Sequence, residues 1–187
     1  MKKFFYNTLM MAVIAMIAAG FSSCEDMEIA YTLEGTWKGD MEIYSNYGGR
    51  EYRATYTEIT FVGDPYSLAS GSGYWVDYYS NAPWDYIANH IEWSVENRVI
   101  YIHFIEEHTS MRISDYHLND SHFSGWLYDN GNDVRFDLIH TSSPNWSSYR
   151  WGYDSWYDYY SRTRGDGTSD STAVEKPYRF VKGNKGK

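Results

Sequence analysis

The chain has 187 residues, with 16 Lys and Arg against 25 Asp and Glu and a formal net charge of −9. That sign repels phosphate backbones and excludes nucleic acid as a natural partner. A single cysteine excludes an internal disulfide, a cysteine metal cluster and, if it carries a lipid, a thiol nucleophile, so stability has to come from packing.

Met1-Lys2-Lys3 is a short positive start, and an apolar run follows from Leu9 to Phe21. The run is short for a finished bilayer span and ends in small residues ahead of a cysteine, the layout of an export signal. Phe21-Ser22-Ser23-Cys24 resembles the relaxed lipobox of Bacteroidota lipoproteins, with Phe21 where Leu is usual and Ser23 in place of Gly or Ala. The resemblance implies that residues 1–23 are a signal peptide and that Cys24 is lipidated and holds the protein to a membrane. An ordinary secretory signal cut nearby, or an uncleaved anchor, is the alternative. Glu25, Asp26 and Glu28 resemble the acidic signal that sends such lipoproteins to the outer face of the outer membrane, with the periplasmic face the alternative. Without residues 1–23 the chain has 164 residues, 14 basic and 25 acidic, enough for one domain with a real core.

Residues 24–34 read as a lipidated tether. In Gly35-Thr36-Trp37-Lys38-Gly39-Asp40-Met41-Glu42-Ile43, Trp37, Gly39, Met41 and Ile43 share one face of a strand. Asn46 to Gly49 is a turn. The strand from Tyr52 to Val62 slips phase, and a bulge near Thr57-Glu58 would reconcile its two registers. Gly63-Asp64-Pro65 turns the chain into a strand over Ser67 to Tyr78, where Gly71 and Gly73 allow a bend. After the break at Asn81-Ala82-Pro83, apolar residues alternate to Val95 and again through Ile100, Ile102 and Phe104, with Glu96-Asn97-Arg98 as the turn of a hairpin. Three more strands lie near 110–116, 122–128 and 133–140, separated by Asn119-Asp120 and Asp129-Asn130-Gly131-Asn132. The mature part shows no helix pattern. Eight strands with short connections do best by closing, so the expected fold is all-β, an eight-stranded antiparallel up-and-down barrel over residues 35–140.

Gly35-Thr36-Trp37-Lys38-Gly39 is similar to the Gly-x-Trp motif that opens lipocalins. Ile59-Thr60-Phe61, Gly71-Ser72-Gly73-Tyr74, Trp93-Ser94-Val95 with Ile100, and Phe123-Ser124-Gly125 follow in the order of the small lipocalin-like lipoproteins of Bacteroidota. The resemblance covers roughly residues 33–140 and implies a fold and a location. It lacks the long C-terminal helix and the disulfide of ordinary lipocalins, and it carries over no settled activity.

Residues 141–187 form an aromatic-rich extension and tail. Trp146, Tyr149, Trp151, Tyr153 and Trp156 stand among Ser, Asp and Arg, the Gly/Ser/Thr/Asp-rich stretch 161–172 reads as mobile, and Pro177 to Val181 can add a last short strand. Two readings of the aromatic segment stand open. It packs over a barrel mouth or outer wall, or its Trp and Tyr faces stack on sugar rings. The barrel interior is a second candidate site, with Trp37 and Trp93 pointing inward alongside Met41, Phe61, Ile100, Ile102 and Phe104, and either fills itself or leaves a small apolar pocket.

The six histidines form no i, i+2 pair on one strand face and no H-E-x-x-H arrangement, so no metal or other cofactor is expected. With 25 acidic residues, a glycosidase-like pair carries no information, and Ser142-Ser143 and Ser147-Ser148 lack an elbow. The expected function is non-enzymatic: a membrane-anchored, lipocalin-like module binding a small hydrophobic or glycan ligand. The alternative is a structural lipoprotein docking on an outer-membrane protein complex.

Overall fold

The computed structural model describes residues 24–152 and 176–183. Residues 1–23, expected to be a signal peptide, lie outside the described residues, as do Tyr153, Trp156 and the stretch 161–172.

Ten strands precede residue 142: β1 (Gly35–Asp40), β2 (Ile43–Tyr47), β3 (Arg50–Arg53), β4 (Tyr56–Gly63), β5 (Ser70–Tyr78), β6 (Tyr86–Glu96), β7 (Val99–Phe104), β8 (Thr109–Leu118), β9 (His122–Asp129) and β10 (Asn132–Thr141). Eight of them close a barrel in the order β1-β10-β9-β8-β7-β6-β5-β4, with β4 pairing back onto β1. The expected antiparallel barrel is therefore present. Its β6–β7 hairpin turns at Asn97 and Arg98, both at positive φ (52° and 62°), the two-residue geometry that matches strand twist.

Three features differ from the sequence reading. Residues 24–33, expected as a tether, form a helix, α1, whose Ala30 and Leu33 are buried in the main core. The first strand does not run through to Ile43. It stops at Asp40, whose Oδ1 accepts from the Glu42 backbone N–H at 2.9 Å, and Glu42 turns the chain at φ 52°. From there β2 and β3 leave the barrel and form a separate sheet with β11 (Tyr178–Val181), in the order β11-β2-β3. The phase slip assigned to a bulge at Thr57-Glu58 is instead the break at Ala54-Thr55, where the chain passes from that sheet back into the barrel. The irregular pairing falls between β8 and β9, where Asp115 adopts φ 50°.

The inward faces fill the barrel. Trp37, Phe61, Trp75, Phe104, Phe123 and Phe136 are all between 0 and 1% exposed. Trp37 meets Phe123 edge-on at 5.7 Å, and Trp75 meets Phe104 at 5.1 Å. Small residues opposite large ones make this density possible: a Cβ at Gly71 would collide with the Val62 carbonyl and the Trp93 indole. Both ends are plugged. At one end α1 lays Leu33 over Trp37, whose Nε1–H donates to Leu33 O at 2.8 Å. At the other, the small sheet buries Ile43 and Val181, while Ser45 and Tyr79 share a hydroxyl bond of 2.7 Å.

Candidate functional site

On the outer face of β5 and β6, every second residue is aromatic or low. Tyr74 and Tyr78 point outward from β5, and Tyr86 and His90 flank the small Ala88 on β6, in the register Tyr74↔His90 and Tyr78↔Tyr86. After β10 the chain crosses this wall. Thr36 Oγ1, bonded to Thr60 at 2.7 Å, also meets Ser143 Oγ at 2.5 Å. A short 3-10 turn (Trp146–Ser148) follows, capped by the Asn145 side chain. Gly152 N–H then donates to Ala88 O at 2.6 Å, a β-bridge that lays the extension against the strand.

The result is one aromatic plate. Trp146 stacks on Tyr74 at 5.1 Å, Trp151 lies 5.0 Å from Tyr74 and 4.1 Å from His90, and Tyr149 meets Tyr86 at 5.2 Å. All three extension rings are half-buried. Packing on an outer wall is thus what Trp146, Tyr149 and Trp151 do, and part of each ring still faces solvent.

Polar groups border the plate. Glu106 Oε1 lies 2.5 Å from His90 Nδ1, and its Oε2 accepts from the His90 backbone at 2.8 Å. Glu58 accepts from Tyr78 at 2.8 Å and from Lys38 Nζ at 2.9 Å. Burial, with Tyr149 and Glu58 beside it, pushes the Tyr78 hydroxyl far above its ordinary range, so it stays a neutral donor. The hydrogen bond to Glu58 raises Lys38 in the same network, which keeps it a cation over the Tyr56 ring at 4.0 Å.

Further along the same wall, towards the α1 end, β5 and β6 present Ser72, Glu92 and Ser94 instead of rings. With Val62, Tyr101 and His103 they line an open groove of about 780 Å³. Groove and plate share β5 and β6, so a trough lined by both polar and apolar groups, Trp93 and Ile102 among them, runs into an aromatic surface. Among the described residues no group of three or more His, Cys, Asp and Glu is placed to hold a metal.

Of the residues expected to bind, Trp146, Tyr149 and Trp151 are brought together. Trp37 and Trp93 are 0 and 3% exposed, and their indole N–H groups are taken by Leu33 O and Ser72 O. Trp37 meets no ligand inside a filled barrel, while Trp93, closed off on that side, contributes to the lining of the outer groove. Tyr74, Tyr78, Tyr86 and His90 were not anticipated. The signal was there in their alternate spacing on two paired strands, but reading it needs the register between them.

Residues 33–125 match the family model of the lipocalin-like domain. Neither a curated protein nor a solved structure matches the chain. Domains of this family are as a rule binding modules for small ligands and not enzymes.

Proposed function

We propose that this lipocalin-like chain is a non-enzymatic binding module, held at the outer membrane through Cys24, that takes a glycan along the outside of its barrel. The observation that carries the reading is the junction of the serine-lined groove with the Tyr74–Trp146–Trp151 plate. Sugars offer apolar ring faces and a rim of hydroxyls. Half-exposed indoles suit the first, and Ser72, Ser94, Glu92 and His103 suit the second. The filled interior supports an external surface over a calyx, and removes the small hydrophobic ligand from the favoured class.

The test is thermal unfolding and calorimetric titration against a panel of oligosaccharides. A ligand at one hundred times its Kd stabilises by about 2.7 kcal/mol, a rise of roughly 5–10 °C. Trp151→Ala should weaken that binding by roughly 30-fold, as loss of a central aromatic anchor does. An unchanged affinity in Trp151→Ala removes the plate from the site.

A second reading, docking on an outer-membrane protein complex, draws on the exposed Tyr31, Tyr66 and Leu68 (80, 96 and 76% exposed) at the α1 end. No shift across the panel, together with co-purification of one membrane complex, favours it.

A further inference from the structure

The barrel end beneath β11 holds the most deeply buried charges among the described residues. Asp77 on β5 and the Arg179 side chain on β11 are 0 and 1% exposed, with Arg179 Nε 2.8 Å from Asp77 Oδ2. Arg179 Nη2 lies 3.4 Å from Oε1 of Glu107, in the β7–β8 turn. The groups that receive the guanidinium are fixed without it. Thr57 Oγ1 and Trp75 Nε1 donate to Asp77 Oδ1 at 2.6 and 2.9 Å, and Asn89 Nδ2 donates to Glu107 Oε1 at 2.8 Å. Two aromatic rings flank the cation, with Arg179 Cζ 4.3 Å from the Phe104 ring centroid and 5.7 Å from that of Trp75.

Two carboxylates held by other side chains, between aromatic rings and away from water, make the combination that recognises a flat, delocalised cation. Its parts all come from residues 57–107, within the barrel wall and one of its turns. The cation comes from a different place: a four-residue edge strand that pairs with β2. The barrel builds the site, and the C-terminal strand supplies the occupant.

We infer that this barrel end is a guanidinium-binding site, filled by the chain's own Arg179 and able to take an alkylguanidinium ligand in its place. Tethering gives Arg179 a high effective concentration, so an outside ligand gains the site when β11 is withdrawn. The shared ligand chemistry is the guanidinium, whether on a small molecule or on an arginine of an extended peptide.

The experiment is chemical rescue in the full chain. Arg179→Ala leaves two buried carboxylates without their cation and should lower Tm by about 10 °C. Methylguanidinium at millimolar concentration should restore a saturable part of that loss, whereas methylurea, similar in shape but uncharged, should not. Asp77→Asn in the Arg179→Ala background should abolish the response. A peptide of residues 176–183 forms the second arm: rescue at far lower concentration than methylguanidinium assigns an arginine on a strand, and equal rescue assigns a free small ligand. If Arg179→Ala alone is unfolded, the same titrations are read as return of the near-ultraviolet signal of the buried Trp75. No saturable rescue by either compound, or equal rescue with Asp77→Asn present, overturns the inference.

Discussion

Trp37 and Trp151 have the same side chain and opposite situations. Trp37 is fully enclosed, with its N–H on Leu33 O and its ring edge-on to Phe123, and serves as core. Trp151 lies over His90 and Tyr74, half-buried, and serves as surface. Glu107 shows how the same environment acts on charge. Burial pushes its carboxyl above the ordinary 4.5, with Asp77 and Glu106 adding to the rise and Arg179 and Asn89 opposing it. A carboxyl raised on folding contributes stability that is complete below the unfolded value and lost as pH climbs through the folded one. Glu107→Gln keeps an oxygen for Asn89 and cannot ionise. The Tm of Glu107→Gln minus that of the wild type should therefore grow as pH is taken from roughly 4 to 8. A flat or falling difference would contradict the assignment. Asp129, also raised by burial, titrates in both proteins, so the comparison isolates Glu107.

Among the elements, α1 and the β11-β2-β3 sheet convert an open barrel into a closed body. The helix is pinned by Asp26, whose two carboxylate oxygens accept the backbone N–H groups of Asn97 and Arg98 at 2.9 and 2.8 Å, and by Glu25, 3.2 Å from Arg98. Asp26→Ala should cost about 2–3 kcal/mol and lower Tm by roughly 4–12 °C, since those donors lose a charged acceptor. The exposed Glu28→Ala, by contrast, should stay within about 0.5 kcal/mol of wild type. A melting experiment on the two variants separates a structural α1 from a loose tether. The barrel strands were legible because their alternation is long: β6 alternates over Ile87, Asn89, Ile91, Trp93 and Val95, and β7 over Ile100, Ile102 and Phe104. Of the short sheet, β11 was legible as the strand expected over Pro177 to Val181, but β2 and β3 were not, because four or five residues such as Arg50–Arg53 carry too little pattern to be separated from the barrel strands beside them. In α1, an acid-rich segment read as a tether and export signal, and only the partner turn at Asn97-Arg98 reveals where Asp26 goes. The candidate site was half legible. Composition marked Trp146, Tyr149 and Trp151, but the wall they lie on depends on pairing between β5 and β6. The buried Asp77–Arg179 pair joins residues about a hundred positions apart, beyond any local signal.

At the scale of the whole molecule, the eight-stranded ring keeps the expected architecture and gives its interior entirely to side chains. With both ends plugged, the proposed binding surface lies outside, on a face where a groove of mixed lining meets an aromatic plate. Five of the tryptophans report on both places at once. Trp37, Trp75 and Trp93 donate inside, to Leu33 O, Asp77 Oδ1 and Ser72 O, while Trp146 and Trp151 lie on the wall. The most direct measurement is the set of assigned indole N–H resonances, followed while oligosaccharides and, separately, fatty acids are titrated in. A binding oligosaccharide should shift Trp146 and Trp151, and Trp93 where it fills the groove, and leave Trp37 and Trp75 in place, and fatty acids should move none of the five. Fatty-acid shifts at Trp37 and Trp75, with the wall tryptophans unmoved by any sugar, would contradict the account and return the site to the barrel interior.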